Sequence, residues 1–157
     1  MSSQTLCGWV RFAAVAFACC GALLLVVLVW EAAGVLPPEY GQQAAYLWCG
    51  FLILAAAPCF AVLVLVWRVS TAIRNDAVFT IAAARTIGAA TTWLCADAVF
   101  IFAGSVVLTV LSINHPGAML AALVAVFVLT AFGVLAAVLS RYIAKAAELQ
   151  EVSEGII

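Results

Sequence analysis

Four apolar runs, each long enough to cross a bilayer, constrain this chain more than any other feature of its sequence. The first runs from Phe12 to Trp30, between Arg11 and Glu31, and the second from about Tyr46 to Trp67, stopped by Arg68. The third spans about Thr86 to Ile113 and carries one charge, Asp97. The fourth runs from about Met119 to Leu139, just short of Arg141. Crossing takes about 20 apolar residues. Backbone N–H and C=O groups in lipid must pair inside their own segment, so the runs predict helices. A transmembrane barrel would show segments of about 10 residues alternating in polarity, and the sequence has none. The expectation is an all-α membrane protein: four transmembrane helices over about 12–30, 46–67, 86–113 and 119–139, packed as an antiparallel bundle. A single transmembrane domain would then occupy 1–157.

Composition supports lipid as the solvent. The chain is 69% hydrophobic and 8% charged, where soluble domains carry about 25% charged residues. Its formal net charge is -1 and no basic patch is dense, which argues against direct nucleic-acid binding. The first run is longer than the roughly 7–15 residues of a signal-peptide core, so it is read as a retained helix.

Threading the four helices puts every basic residue on one side. Arg11 precedes the first helix, Arg68, Arg74 and Arg85 border the second connection, and Arg141 and Lys145 follow the fourth helix. The other two connections, from Glu31 to Ala45 and from Asn114 to Ala118, hold no Lys or Arg. Positive charge near helix ends marks the cytoplasmic side, so both termini are expected inside. Trp30, Tyr46 and Trp48 would mark the outer interface, and Trp9, Trp67 and Tyr142 the inner one.

Little in the sequence points to catalysis. Its six cysteines form no CxxC pair and no cluster with His115, so no zinc spacing is recognisable. They read as small packing residues among the many Ala and Gly, which let membrane helices approach closely. Gly133, Ala137 and Arg141, four apart, mark such a stripe on the fourth helix. Pro37, Pro38 and Gly41 suggest a polar turn, and Pro116-Gly117 a tight one beside a solvated His115. No nucleophile–base pair or carboxylate pair is visible, so neither an enzyme nor a cofactor is expected.

The cytoplasmic side offers two surfaces. Thr80 is placed to cap the third helix, with Phe79 covering its first turn. Past Leu139, RYIAKAAELQE holds strong helix formers and no Gly or Pro. It predicts a helical tail over about 140–151.

That tail, with INHPGAMLAALVAVFVLTAFGVLAAV before it, resembles the end of the bacterial family called domain of unknown function 2975, the YoaS-like membrane proteins. Members close on a helix reading like LSxLxxKAxELQEENDLTI. Leu139, Ser140, Lys145, Ala146, Glu148, Leu149, Gln150 and Glu151 match it. Phe79-Thr80 stands where the family has a Phe-Thr or Phe-Ser step. Ala83 replaces a usual Asn, and the residues from Val152 to Ile157 depart from the usual ending. The resemblance implies a four-helix protein of the bacterial cytoplasmic (inner) membrane. Members often neighbour a gene for a small helix-turn-helix regulator, which implies a regulatory association.

Asp97 remains. It lies ten residues past Ile87, hence about 15 Å into a core about 30 Å thick, with no basic residue in any of the four runs. Such a placement costs roughly 2.5–3.5 kcal/mol, lowered if the carboxyl stays protonated. Pro58 lacks an N–H and frees the carbonyl of Leu54 at the same depth, and Thr130 is also central. A neutral Asp97 donating to either would join the second, third and fourth helices. The other reading is a proton or cation site, with a homo-oligomer built around Asp97. Two functions follow. One is a contact protein, a sensor or membrane anchor for a cytoplasmic regulator, meeting it through Phe79, Thr80, Lys145, Glu148, Leu149, Gln150 and Glu151. The alternative is a small proton-coupled transporter or channel subunit.

Overall fold

Three of the apolar runs lie wholly within helices that extend past them. The third run, expected to reach about Ile113, lies in a helix that stops at Val110. The computed structural model describes residues 3–74 and 80–154. It contains α1 (Ser3–Tyr40), α2 (Gln42–Arg74), α3 (Ile81–Val110) and α4 (Pro116–Glu154), with no strand among the described residues. At 1.5 Å per residue they are about 45–59 Å long, against about 30 Å of hydrocarbon. All four are long and apolar enough to cross a membrane.

The ends differ from the sequence reading in instructive ways. The expected turn from Glu31 to Ala45 shrinks to one residue, because α1 continues through Pro37 and Pro38 to Tyr40. Proline deprives the carbonyl four residues back of its donor. Those carbonyls, on Ala33 and Gly34, lie beyond the apolar run where water can serve them. Gly41, at φ 86°, then ends the helix, its N–H donating to the Pro37 carbonyl at 3.0 Å. Glycine takes that left-handed conformation without a Cβ penalty.

α3 starts five residues earlier than the apolar run, at a cap the sequence does announce. The Thr80 hydroxyl accepts from the Ala83 N–H at 3.3 Å. Its other end closes through Ser112, at φ 58°, with Ile113 N–H donating to the Leu108 carbonyl at 3.1 Å. Pro116 and Gly117 belong to the first turn of α4 rather than to a tight turn. Proline suits that first position, where its missing N–H would have no partner anyway, and His115 Nδ1 accepts from the Gly117 N–H at 3.1 Å.

α1 packs on α2, α2 on α3 and α3 on α4, and no other pair of helices packs together among the described residues. The arrangement is an open row in which α1 and α4 each have one neighbour, not a closed bundle. Contacts run in opposed sequence order along each pair. Cys7 donates to the Ser70 carbonyl at 3.2 Å and Cys49 lies 3.9 Å from the Val29 carbonyl. The Trp48 indole donates to the Ile113 carbonyl at 2.8 Å, and Ser140 to the Ala84 carbonyl at 2.8 Å.

Small residues fill the seams. Ala14, Ala44, Ala45, Ala83, Ala84, Ala90, Ala98 and Ala147 are buried, while Phe12, Phe17, Phe127 and Leu135 are exposed. On α4 the contact stripe follows Gly133 and then Ser140, Ile143 and Ala147, leaving Arg141 exposed. At Gly133 a Cβ would stand 3.2 Å from Cys95 Sγ, a tight fit between α3 and α4.

Aromatic rings fill the α2–α3 seam near Gly104. Phe51 stacks on Phe100 at 5.6 Å, meets Trp48 edge-on at 5.9 Å, and covers Gly104 so closely that a Cβ there would collide with its ring. Gly104→Ala is therefore expected to cost about 1–3 kcal/mol by overpacking. It should lower the unfolding midpoint of the detergent-solubilised protein. Adding Phe51→Leu should restore most of the loss, and an unchanged midpoint in the single variant would contradict this packing.

Candidate functional site

Asp97 sits near the middle of α3 and is 1% exposed, the largest fully buried side chain among the described residues. Ala98 beside it is buried too. From α2, the Cys59 thiol donates to Asp97 Oδ2 at 3.3 Å. Oδ1 is buried with no hydrogen-bond partner. A thiol is a weak donor, so this carboxyl is poorly served where poor service is costly. Among the described residues, no three His, Cys, Asp or Glu side chains come together as a metal site.

The expected partners are placed differently. Thr130 is exposed, and its hydroxyl is spent on the Val126 carbonyl at 2.7 Å. It makes no bond to Asp97, because a threonine inside a helix has an acceptor one turn back. Pro58 is at the middle of α2, half-buried, and the side chain that reaches Asp97 belongs to the next residue, Cys59. The sequence offered one signal for it: Cys59 shares its depth with Pro58. Read as packing filler, the cysteine instead supplies a polar bond across the centre of the α2–α3 seam.

Of the proposed partner surface, Phe79 lies outside the described residues, as does the side chain of Glu151. Thr80 is half-buried and committed to capping α3. Lys145, Glu148, Leu149 and Gln150 are exposed on α4. Ile143 and Ala147, on the same stretch, are buried, Ile143 in a cluster with Ala84 and Ile87. One side of the tail's first turns is therefore fixed to the helix row and the other is open. Val152, at 62% exposure, joins that open side and was not anticipated.

Two further features were missed. An apolar groove of about 900 Å³ runs along one face of the row, with walls that include Phe17 and Leu24 of α1, Cys59 and Phe60 of α2, Ala90 of α3 and Leu135 of α4. It follows from the row arrangement, which no periodicity reveals. The second is Arg11. Its Nε donates to Ser70 Oγ at 3.1 Å and its Nη2 to Thr71 Oγ1 at 3.2 Å, and its guanidinium lies 4.9 Å from the centre of the Trp67 ring.

The family described as "Protein of unknown function (DUF2975)" matches the chain over residues 3–157. No curated protein and no solved structure matches it.

Variants at the Asp97–Cys59 pair should show the asymmetry of a buried polar contact. Asp97→Leu removes one weak bond together with the group that needed it. Interhelical hydrogen bonds in membranes average about 0.6 kcal/mol, so the unfolding midpoint should move little. Cys59→Ala leaves the carboxyl with no donor and should cost more, about 1–3 kcal/mol. Combining the two should recover the loss. Equal destabilisation by both single variants would show that the contact carries no such asymmetry.

Proposed function

We propose, for a chain that belongs to the DUF2975 family over essentially its whole length, a role carried by contacts: a sensor or membrane anchor for a cytoplasmic regulator. One observation carries it. α4 continues to Glu154, about 22 Å past Leu139, beyond the reach of the hydrocarbon that covers apolar side chains elsewhere. There it presents Tyr142, Lys145, Leu149 and Val152, spaced three, four and three apart, all exposed. Leu149 is 64% exposed. Such spacing sets side chains on one face of a helix, and an amphipathic helix with an open apolar edge suits a helical groove on a partner. A small helix-turn-helix regulator is the partner this reading favours.

The reading also takes an orientation. With Arg11, Arg68, Arg85, Arg141 and Lys145 at one end of the helices, the positive-inside rule puts that end, both termini included, in the cytoplasm of a bacterial cell. Single cysteines at Gln42 and Lys145, in a chain otherwise free of cysteine, should then label from opposite sides. Modification of both by an impermeant reagent on intact cells would reverse the proposal. Deleting residues 146–157 should leave an inserted, folded protein that no longer retains the regulator in the membrane fraction. A truncated protein that still retains it removes the tail from the mechanism.

A second reading rests on the unpartnered Oδ1 of Asp97. A carboxyl with a free oxygen at mid-membrane is a place for a proton or cation, as in a small transporter or channel subunit. Asp97→Asn separates the two. The contact role survives it, since the amide keeps shape and hydrogen-bonding capacity. A folded, correctly inserted Asn variant that has lost all function would instead put the acid at the centre.

A further inference from the structure

Asp97 lies directly behind the wall of the apolar groove. Leu94 and Ile101, three residues before it and four after it on α3, both line the groove. Such spacing sets the three residues on one face of the helix. From α2, Cys59 lines the groove too, and its thiol is the group bonded to Asp97 Oδ2 at 3.3 Å. The carboxyl is therefore one side chain deep. What covers it is a weak donor, which a single χ1 rotation swings aside. Oδ1 is buried without a partner. None of the four apolar runs contains a Lys or Arg, so the chain supplies this acid with no counter-ion of its own.

The groove decides which cation suits the acid. Hard inorganic cations take about six or more oxygen ligands. Besides Cys59, the one polar side chain lining the groove among the described residues is Thr86. It stands about three turns from Asp97, its hydroxyl spent on the Ala82 carbonyl at 2.9 Å. The other walls are aliphatic and aromatic. An organic ammonium ion brings an apolar body in place of an oxygen shell, and its N–H groups can donate to both carboxyl oxygens. At about 900 Å³ the groove falls in the roughly 300–1,000 Å³ range of small-ligand sites. We propose that it binds a lipophilic primary ammonium ion, the nitrogen on the Asp97 carboxylate and the apolar body against Phe60, Leu63 and Leu94. The proposal rests on the second reading of Asp97 and names its cation.

The test uses the full chain in nanodiscs of phosphatidylcholine, whose headgroups carry no net charge, with empty nanodiscs as background. The probes are phenylbutylamine, cationic at neutral pH, and phenylbutanol, its uncharged analogue. Binding is read by equilibrium dialysis. A hydrogen bond to a charged group corresponds to roughly tenfold or more in affinity, so the amine should bind about tenfold more tightly than the alcohol. Asp97→Asn should make the two about equal and leave the alcohol unchanged. Ala56→Trp, one turn from Cys59 on the groove wall, should weaken both with the carboxyl intact. Cys59→Ala, which uncovers the carboxyl, should bind the amine at least as tightly as the unaltered chain does. The unaltered chain's preference and Cys59→Ala decide the matter even if the other two variants fail to fold. Equal binding of amine and alcohol by the unaltered chain overturns the proposal. So does an Asp97→Asn chain that keeps the preference, or Ala56→Trp that binds both undiminished. If Asp97→Asn abolishes function while the unaltered chain shows no preference, the second reading stands with a proton as its ion, and the ammonium site falls.

Discussion

Lipid gives these helices no apolar reason to approach one another, since acyl tails are as apolar as leucine. It forces each segment to be a helix and leaves association to close packing and a few polar contacts. The buried set answers that constraint, being mostly alanine, while the large hydrophobic side chains face outward. Seams form where small residues allow them: Gly133 against Cys95, Gly88 against Ser140, Gly104 under Phe51. Nothing presses α1 onto α4, and the row stays open. A soluble four-helix protein with the same connections would be driven to close, because water would penalise the exposed face.

Each seam also carries a polar tie, and each tie has a different character. Between α1 and α2 it is the charged Arg11 on Ser70 and Thr71, near the end of the apolar run where a charge is tolerable. Between α3 and α4 it is a hydroxyl on a helix carbonyl, Ser140 on Ala84. Between α2 and α3 it is a weak thiol bond to a carboxyl near the middle of α3. That last tie is the costly one. Its carboxyl keeps a buried oxygen without a partner, which is the physical ground for asking whether Asp97 does something other than join helices.

The sequence revealed whatever depends on one segment at a time. Four long apolar runs, the capping of α3 by Thr80, the mid-helix position of Asp97 and the helical tail all follow from local composition. What it hid depends on two segments. Cys59 could be recognised as the partner of Asp97 only once α2 and α3 were in register, and Thr130 looked suitable only because depth was matched without face. Pro37 and Pro38 misled for another reason. Proline is a helix breaker where the lost hydrogen bond is buried, and here water can replace it. The open row could not be inferred because helical periodicity of apolar residues carries no contrast when both lipid and neighbour are apolar. Helices with apolar residues all round look alike whether they have one neighbour or two.

α4 joins an apolar run and a polar end in one unbroken helix. Between its apolar run and its exposed end, Ser140 is tied to Ala84 and Ile143 is buried with Ile87. These contacts fix both the tilt and the rotation of the helix just before it leaves the row. The direction in which Leu149 and Val152 face is therefore set by packing at the basic end and not by the tail itself. A flexible peptide would lose conformational entropy on meeting a partner, whereas a helix clamped at its base has lost most of it already. The same clamp ties the facing of the exposed edge to the packing of α4 on α3. A protein working through contacts could in this way couple the state of its membrane-embedded seams to what its tail presents.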